Sequence, residues 1–268
     1  MKKILLLSIL IPFIGKSQVH KGEFGTYIPI TIPVKSEMPY MSTAVGFGFK
    51  GAYKPSYHLP IAFELKTSWN SYSSRTINQT FLFSDGSGTN TDVTYTSGFN
   101  QSLFGVKFQI GNDTRLINGF VSPQIGTLKM RSKIVIADPN DTDGCEALDR
   151  ETTQKFRGSF YGGEAGVDID FALFGKNIEA GKHKLSLSAS YMQGFGDFQY
   201  VNVKNMQDHT HHLMPGGEVM PVTEDGRTDI NATFINVSTQ DIHQHKIAEL
   251  YNTSLRMWQI NIGYTLRF

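Results

Sequence analysis

The sequence predicts an all-β fold: an eight-stranded antiparallel up-and-down transmembrane β-barrel. Three observations predict it. Several segments alternate strictly between apolar and polar residues, the signature of strands with two different environments. After the first residues no run of about eighteen apolar residues occurs, which argues against a membrane-spanning helix. The polar members of the alternation are mostly Gly, Ser and Ala, with a few Lys, Glu and Asp. A narrow interior favours such residues, whereas a solvated surface favours long charged ones.

The chain opens like an export signal. Lys2 and Lys3 precede a short apolar core, Ile4 to Ile14, and Gly15 and Ser17 supply small residues before a cut ahead of Gln18. Residues 1–17 are therefore expected to be a cleaved signal peptide and residues 18–268 one barrel domain. No cysteine follows the signal closely, which argues against lipoprotein processing. Cys145, the single cysteine, makes no internal disulfide and reads as a loop residue. With 25 basic and 24 acidic residues the net charge is +1, so nothing points to nucleic acid.

The elements follow in order. Residues 22–32 form a weak strand, through Phe24, Ile28, Ile30 and Ile32, with Pro29 unable to donate to a ladder. In 41–53, Val45, Phe47, Phe49 and Tyr53 oppose Gly46, Gly48 and Lys50. In 59–69, Leu59, Ile61, Phe63, Leu65 and Trp69 oppose Ala62, Glu64, Lys66 and Ser68. In 102–110, Phe104, Val106, Phe108 and Ile110 oppose Gly105, Lys107 and Gln109. A second weak strand covers 118–132, through Val121 and Ile125. In 159–173, Tyr161, Ala165, Val167, Ile169, Phe171 and Leu173 oppose Glu164, Asp168 and Asp170. In 185–191, Leu185, Leu187, Ala189 and Tyr191 oppose three serines. The last strand is WQINIGYTLRF, 258–268.

Short connections at 54–58, 111–116 and 174–183 carry turn residues. Long polar ones at 72–98, 133–157 and 197–251 are expected to be loops on the opposite side, the pattern of an outer-membrane barrel. The connection 33–40 is too short to fit that scheme. The apolar face, with Tyr53, Trp69, Tyr161, Tyr191, Trp258 and Phe268 near strand ends, is assigned to lipid. The polar face is assigned to the interior. Eight strands enclose a space that side chains nearly fill, and inward lysines and carboxylates neutralise one another there. A plugged interior is the expectation.

The ending WQINIGYTLRF resembles the terminal assembly signal of Gram-negative outer-membrane proteins, an alternating final strand closed by an aromatic. The mature chain looks like a small porin-like or PorT-like outer-membrane barrel, similar in architecture to OmpX. The resemblance implies an outer-membrane location, lipid contact, and the barrel-assembly machinery as a partner through the strand ending at Phe268. It carries over no catalytic residue.

Two motifs suggest further chemistry. His209 and His211, with His212 beside them, and His243 and His245 have the His-x-His spacing. That spacing sets two imidazoles on one side of an extended strand, a geometry for zinc or copper. If the two arms pair, His209 faces His245 and His211 faces His243. Against this, Pro215 and Pro221 interrupt the first arm, and strand parity puts the pairs on opposite faces unless a bulge intervenes. Solvated histidines are the ordinary alternative. The run DPNDTDG, 138–144, has proline at the first calcium-ligand position and reads as a turn.

No G-x-S-x-G, no evident Ser/His/acid set and no Gly-rich phosphate loop occurs, so no enzyme and no cofactor is expected. Three function classes remain: a stand-alone surface-binding or structural barrel, an accessory subunit of an envelope secretion, assembly or uptake complex, and a soluble exported ligand-binding barrel. Phe81, Phe83, Phe198 and Tyr200 are candidate exposed loop residues that could meet a surface partner, or could equally pack against their own loops.

Overall fold

The structure is a computed structural model. It describes residues 21–56, 59–82, 88–110, 116–137, 147–175, 180–208, 232–236 and 245–268. Residues 1–20, the loop run 138–144 and Cys145 lie outside them.

Alternating residues build β1 (Gly22–Pro33), β2 (Ala44–Tyr53), β3 (Ile61–Leu82), β4 (Gly88–Ile110), β5 (Ile117–Ala137), β6 (Ala147–Asp170), β7 (His183–Asp208), β8 (Ala232–Asn236) and β9 (His245–Arg267). Each strand pairs antiparallel with the next up to β7, β7 pairs with β9, and β9 closes back on β1. The closed wall has eight strands, as expected. Closure satisfies the backbone groups of every strand within the wall, with no free edge at that level.

Pro29 does not break β1. Its pairing with β9 runs through Pro29↔Asn261, while the register with β2 skips Ile28 and Pro29. The missing N–H thus falls on one side of the strand only. Inward glycines make room for neighbouring rings; a Cβ on Gly48 would lie 2.6 Å from the buried Tyr27 ring. Phe171–Leu173, expected as strand, instead forms a short 3-10 turn. It is capped by Asp170, whose carboxylate accepts from the Ala172 and Gly181 amides at 2.9 and 2.5 Å. Gly181 has φ 86°, a left-handed conformation that glycine tolerates.

The largest departure from the sequence expectation is strand length. The described parts of the runs 72–98, 133–157 and 197–251, expected as loops, extend the strands instead. β3 has 22 residues and β4 has 23, whereas a membrane crossing needs about 9–11. β1 and β2, at 12 and 10 residues, stop near that length. Beyond it the wall divides. The β6–β7 register ends at Phe160↔Gly194, while β6 continues on β5 and β7 continues on β9. Two sheets therefore project past the closed barrel: β3–β4–β5–β6, and β7–β9 with β8 added on the free side of β9.

These sheets face each other across an apolar core. Tyr72, Phe99, Leu128, Met130 and Phe160 come from one sheet, and Phe198, Tyr200, Leu255 and Met257 from the other. The short connection between β1 and β2 turns inward between them, with Met38 and Met41 fully buried. That is why 33–40 did not look like an outer loop. Lys35 Nζ donates to the Met41 carbonyl at 2.6 Å, and Thr253 Oγ1 donates to the Glu37 carbonyl at 2.5 Å, which tie the connection down.

Phe198 and Tyr200 correct the sequence expectation. They are 1% and 0% exposed, not surface loop residues. They fall on the inward parity of β7, and Phe198 lies over Gly158 and Gly194, where a Cβ has no room. Phe81 belongs to β3 and Phe83 lies outside the described residues. Phe198→Ala is expected to cost about 3–5 kcal/mol, the usual loss for truncating a buried Phe. A urea titration in detergent, followed by far-ultraviolet dichroism, checks it; a loss below about 1 kcal/mol would contradict this packing.

Candidate functional site: two inverted storeys of one barrel

Side-chain parity holds along each strand up to the register shifts near Ser71 on β3 and Thr152 on β6, but its content inverts partway up. In the lower storey the outward residues are apolar. On β3 Leu65 is 65% exposed, while its neighbour Lys66 is 7% exposed. Register neighbours Phe104, Ile125 and Tyr161 carry this belt across β4, β5 and β6. The next outward row is Ser102, Thr127 and Ser159, and the one above is Asn100, Lys129 and Arg157. On β9 the change falls between Trp258 and Arg256. The inward face changes oppositely, from Gln259, Asn261, Thr265 and Arg267 to Met257 and Leu255.

Aromatic residues border the belt. Trp69 with Phe49, and Trp258 with Tyr191 at 5.0 Å between ring centres, mark the upper rim. Phe24, Tyr53, Phe174, Tyr264 and Phe268 are exposed at the lower one. The tryptophans therefore sit in mid-strand, at the belt's rim rather than at strand ends.

Inside the lower storey charges interlock. Lys66 Nζ donates to Glu164 and stands 3.1 Å from Glu64. Glu164 also accepts from Gln124, from Ser188 Oγ at 2.5 Å and from Asn261 at 3.3 Å. Lys107 Nζ donates to Asp168 at 2.6 Å, lies 3.9 Å from Glu23, and sits 4.2 Å over the Phe120 ring. Ser186 Oγ donates to Asp168 at 2.7 Å and accepts from Lys50 Nζ at 2.8 Å. Arg267 Nε donates to Glu23 at 2.5 Å, which links β9 to β1 across the closing seam. Every charge anticipated for the interior, Lys50, Glu64, Lys66, Lys107, Glu164, Asp168 and Asp170, is buried there. Lys184 joins them; it falls on the same inward parity as Ser186. In the upper storey, burial pushes the Tyr200 phenol up to about 12.

His209, His211, His212 and His243 lie outside the described residues. His245 opens β9, with its backbone opposite Asn236. Among the described residues no three His, Cys, Asp or Glu side chains group to hold a metal ion.

No family model and no curated protein matches this chain. Solved barrels resemble it in strand arrangement at low sequence identity. Ail, the attachment invasion locus protein of Yersinia pestis, is similar at 9% identity, over 92% of this chain and 97% of Ail, with a TM-score of 0.36. Neisserial surface protein A is similar at 8% identity, over 92% and 96%, with a TM-score of 0.33. The N-terminal β-barrel domain of Pseudomonas aeruginosa OprF is similar at 7% identity, over 92% and 100%, with a TM-score of 0.32.

Proposed function

We propose that the protein is an integral outer-membrane β-barrel whose closed interior carries no solute, and whose projecting sheets give it a structural or surface-binding role. The observation that carries this reading is the inversion of the two faces. A belt of exposed apolar residues surrounds the lower storey, with paired charges inside it. Water penalises that arrangement and a bilayer favours it. On β9 the belt runs from Trp258 to Phe268, the length a strand needs to cross a bilayer. The buried charges below and the Met- and Phe-rich core above leave the lumen two successive obstructions, which supports a plugged barrel. A role outside catalysis fits a site made of neutralised charges. The β9 strand, exposing Phe268 at the lower rim, is the segment we assign to recognition by the barrel-assembly machinery.

Cell fractionation with gel mobility before and after boiling tests the reading. Recovery in the outer membrane with a heat-dependent shift is the expected result. A soluble periplasmic protein with no shift would overturn it, and would make a soluble ligand-binding barrel the better account.

A further inference from the structure

The upper storey's outer surface is uneven. On β3 and β4 the outward residues above the belt are mostly uncharged, such as Ser71, Ser102, Asn100 and Thr96, with Arg75 and Asp92 as exposed charges of opposite sign. On β5 and β6 they are basic: Lys129, Arg131, Lys133, Arg150, Lys155 and Arg157 are all exposed. Lys129 lies opposite Arg157, and Arg131 opposite Lys155. Like charges in directly opposed positions repel. None of the six forms an ion pair with a carboxylate whose side chain is described. In a chain of net charge +1 this is a local concentration of positive charge.

Edge protection explains part of it. Above Phe160, β6 has no registered partner on the β7 side, and lysines on a free edge deter strand addition. It does not explain Lys129, Arg131 and Lys133, because β5 is paired on both sides at that height. Position supplies the rest of the argument. Ile125, in the belt, and Lys129 share one face of β5, four residues apart, or about 13 Å along the strand. With barrel strands tilted by about 40° the vertical step is about 10 Å. That places the cations where the polar head groups of the outer leaflet begin.

We propose that this β5–β6 surface binds the phosphorylated head groups of outer-leaflet lipid and fixes one side of the barrel against them. The inference rests on the membrane reading given above. The three arginines suit phosphate geometry through paired N–H donors, and the lysines add point charge.

The test uses full-length protein in neutral detergent, exchanged in the presence of acyl-labelled bisphosphorylated lipid A or its dephosphorylated form. The expected result is about tenfold greater retention of the phosphorylated lipid, as clustered basic residues at an anionic surface give. In the variant K129Q/R131Q/K155Q/R157Q the preference is expected to disappear while the heat-dependent mobility shift remains, since neutralisation relieves repulsion. If that variant does not fold, R131Q/K155Q is measured instead, with a partial loss expected. Equal retention of both lipids, an undiminished preference in a folded variant, or tighter binding of a soluble sulfated polysaccharide than of the lipid would each overturn the proposal. A protein that needs no detergent and shows no mobility shift would overturn the membrane reading and this one together. A detergent-dependent, heat-shifted barrel without phosphate preference would overturn the head-group contact alone.

Discussion

Leu65→Arg is expected to destabilise the lipid-embedded barrel by about 2–4 kcal/mol, the cost of a guanidinium near the middle of a barrel's lipid face. Leu65 is the most exposed large apolar residue of β3, and lies between Phe63 below and Trp69 above. Its cross-strand neighbours are Gly51 and Phe104, neither of which offers a carboxylate. The size of the loss separates the two candidate solvents. In water, replacing an exposed leucine by arginine changes stability by about half a kcal/mol at most. Asn100→Arg supplies the control, because Asn100 is exposed above the belt and is expected to tolerate the charge within that range. Urea unfolding of the two variants in lipid vesicles, read by tryptophan fluorescence, makes the comparison. Equal behaviour of the two would mean that Leu65 does not meet hydrocarbon.

Leu65 and Lys66 also show what was legible in the sequence. Adjacent residues on a strand point to opposite faces, so period-2 alternation between aliphatic and charged residues fixes both the strand and its two environments. Eight such segments predict eight wall strands, and the inward charges were assigned correctly from parity alone. The upper storey was missed because the alternation was sought with one polarity. Residues 92–99 alternate as cleanly as 61–69, with Val93, Tyr95 and Phe99 on one parity and Asp92, Thr94 and Thr96 on the other. There the apolar parity faces inward and the polar parity outward. Lacking an apolar outer face, the run read as a polar loop. For the same reason Phe198 and Tyr200 read from the sequence as exposed residues. The basic row was also visible, since Lys129, Arg131 and Lys133 share one parity, as do Lys155 and Arg157. What the sequence could not supply was the register that sets one row against the other, since this comes from strand pairing across residues distant in the chain. The inward fold of residues 34–43 was likewise hidden, because its burial depends on how far the neighbouring strands rise.

The second large effect concerns the opposite face. Lys66→Met is expected to cost about 3–5 kcal/mol, the penalty for breaking a buried ion pair from one side. The lysine stands between Glu64 and Glu164, so its removal leaves two carboxylates facing each other without a cation between them. Glu164→Gln is expected to cost less. Lys66 then keeps Glu64 at 3.1 Å, and the new amide can still accept from Ser188 and Asn261. The order of the two losses is therefore fixed by the arrangement and not by the size of the side chains removed. Combining the changes should restore part of the stability lost in Lys66→Met, because it removes one of the two stranded charges; adding Glu64→Gln should restore more. Neutral replacement of a whole buried charge set can be nearly free, whereas halving it is not. Unfolding of the single, double and triple variants in one detergent gives the coupling energies directly. If Glu164→Gln proved the more damaging single change, Lys66 would not be the shared cation of this network, and the interior would owe its order to the hydrogen bonds that Glu164 receives from Gln124, Ser188 and Asn261.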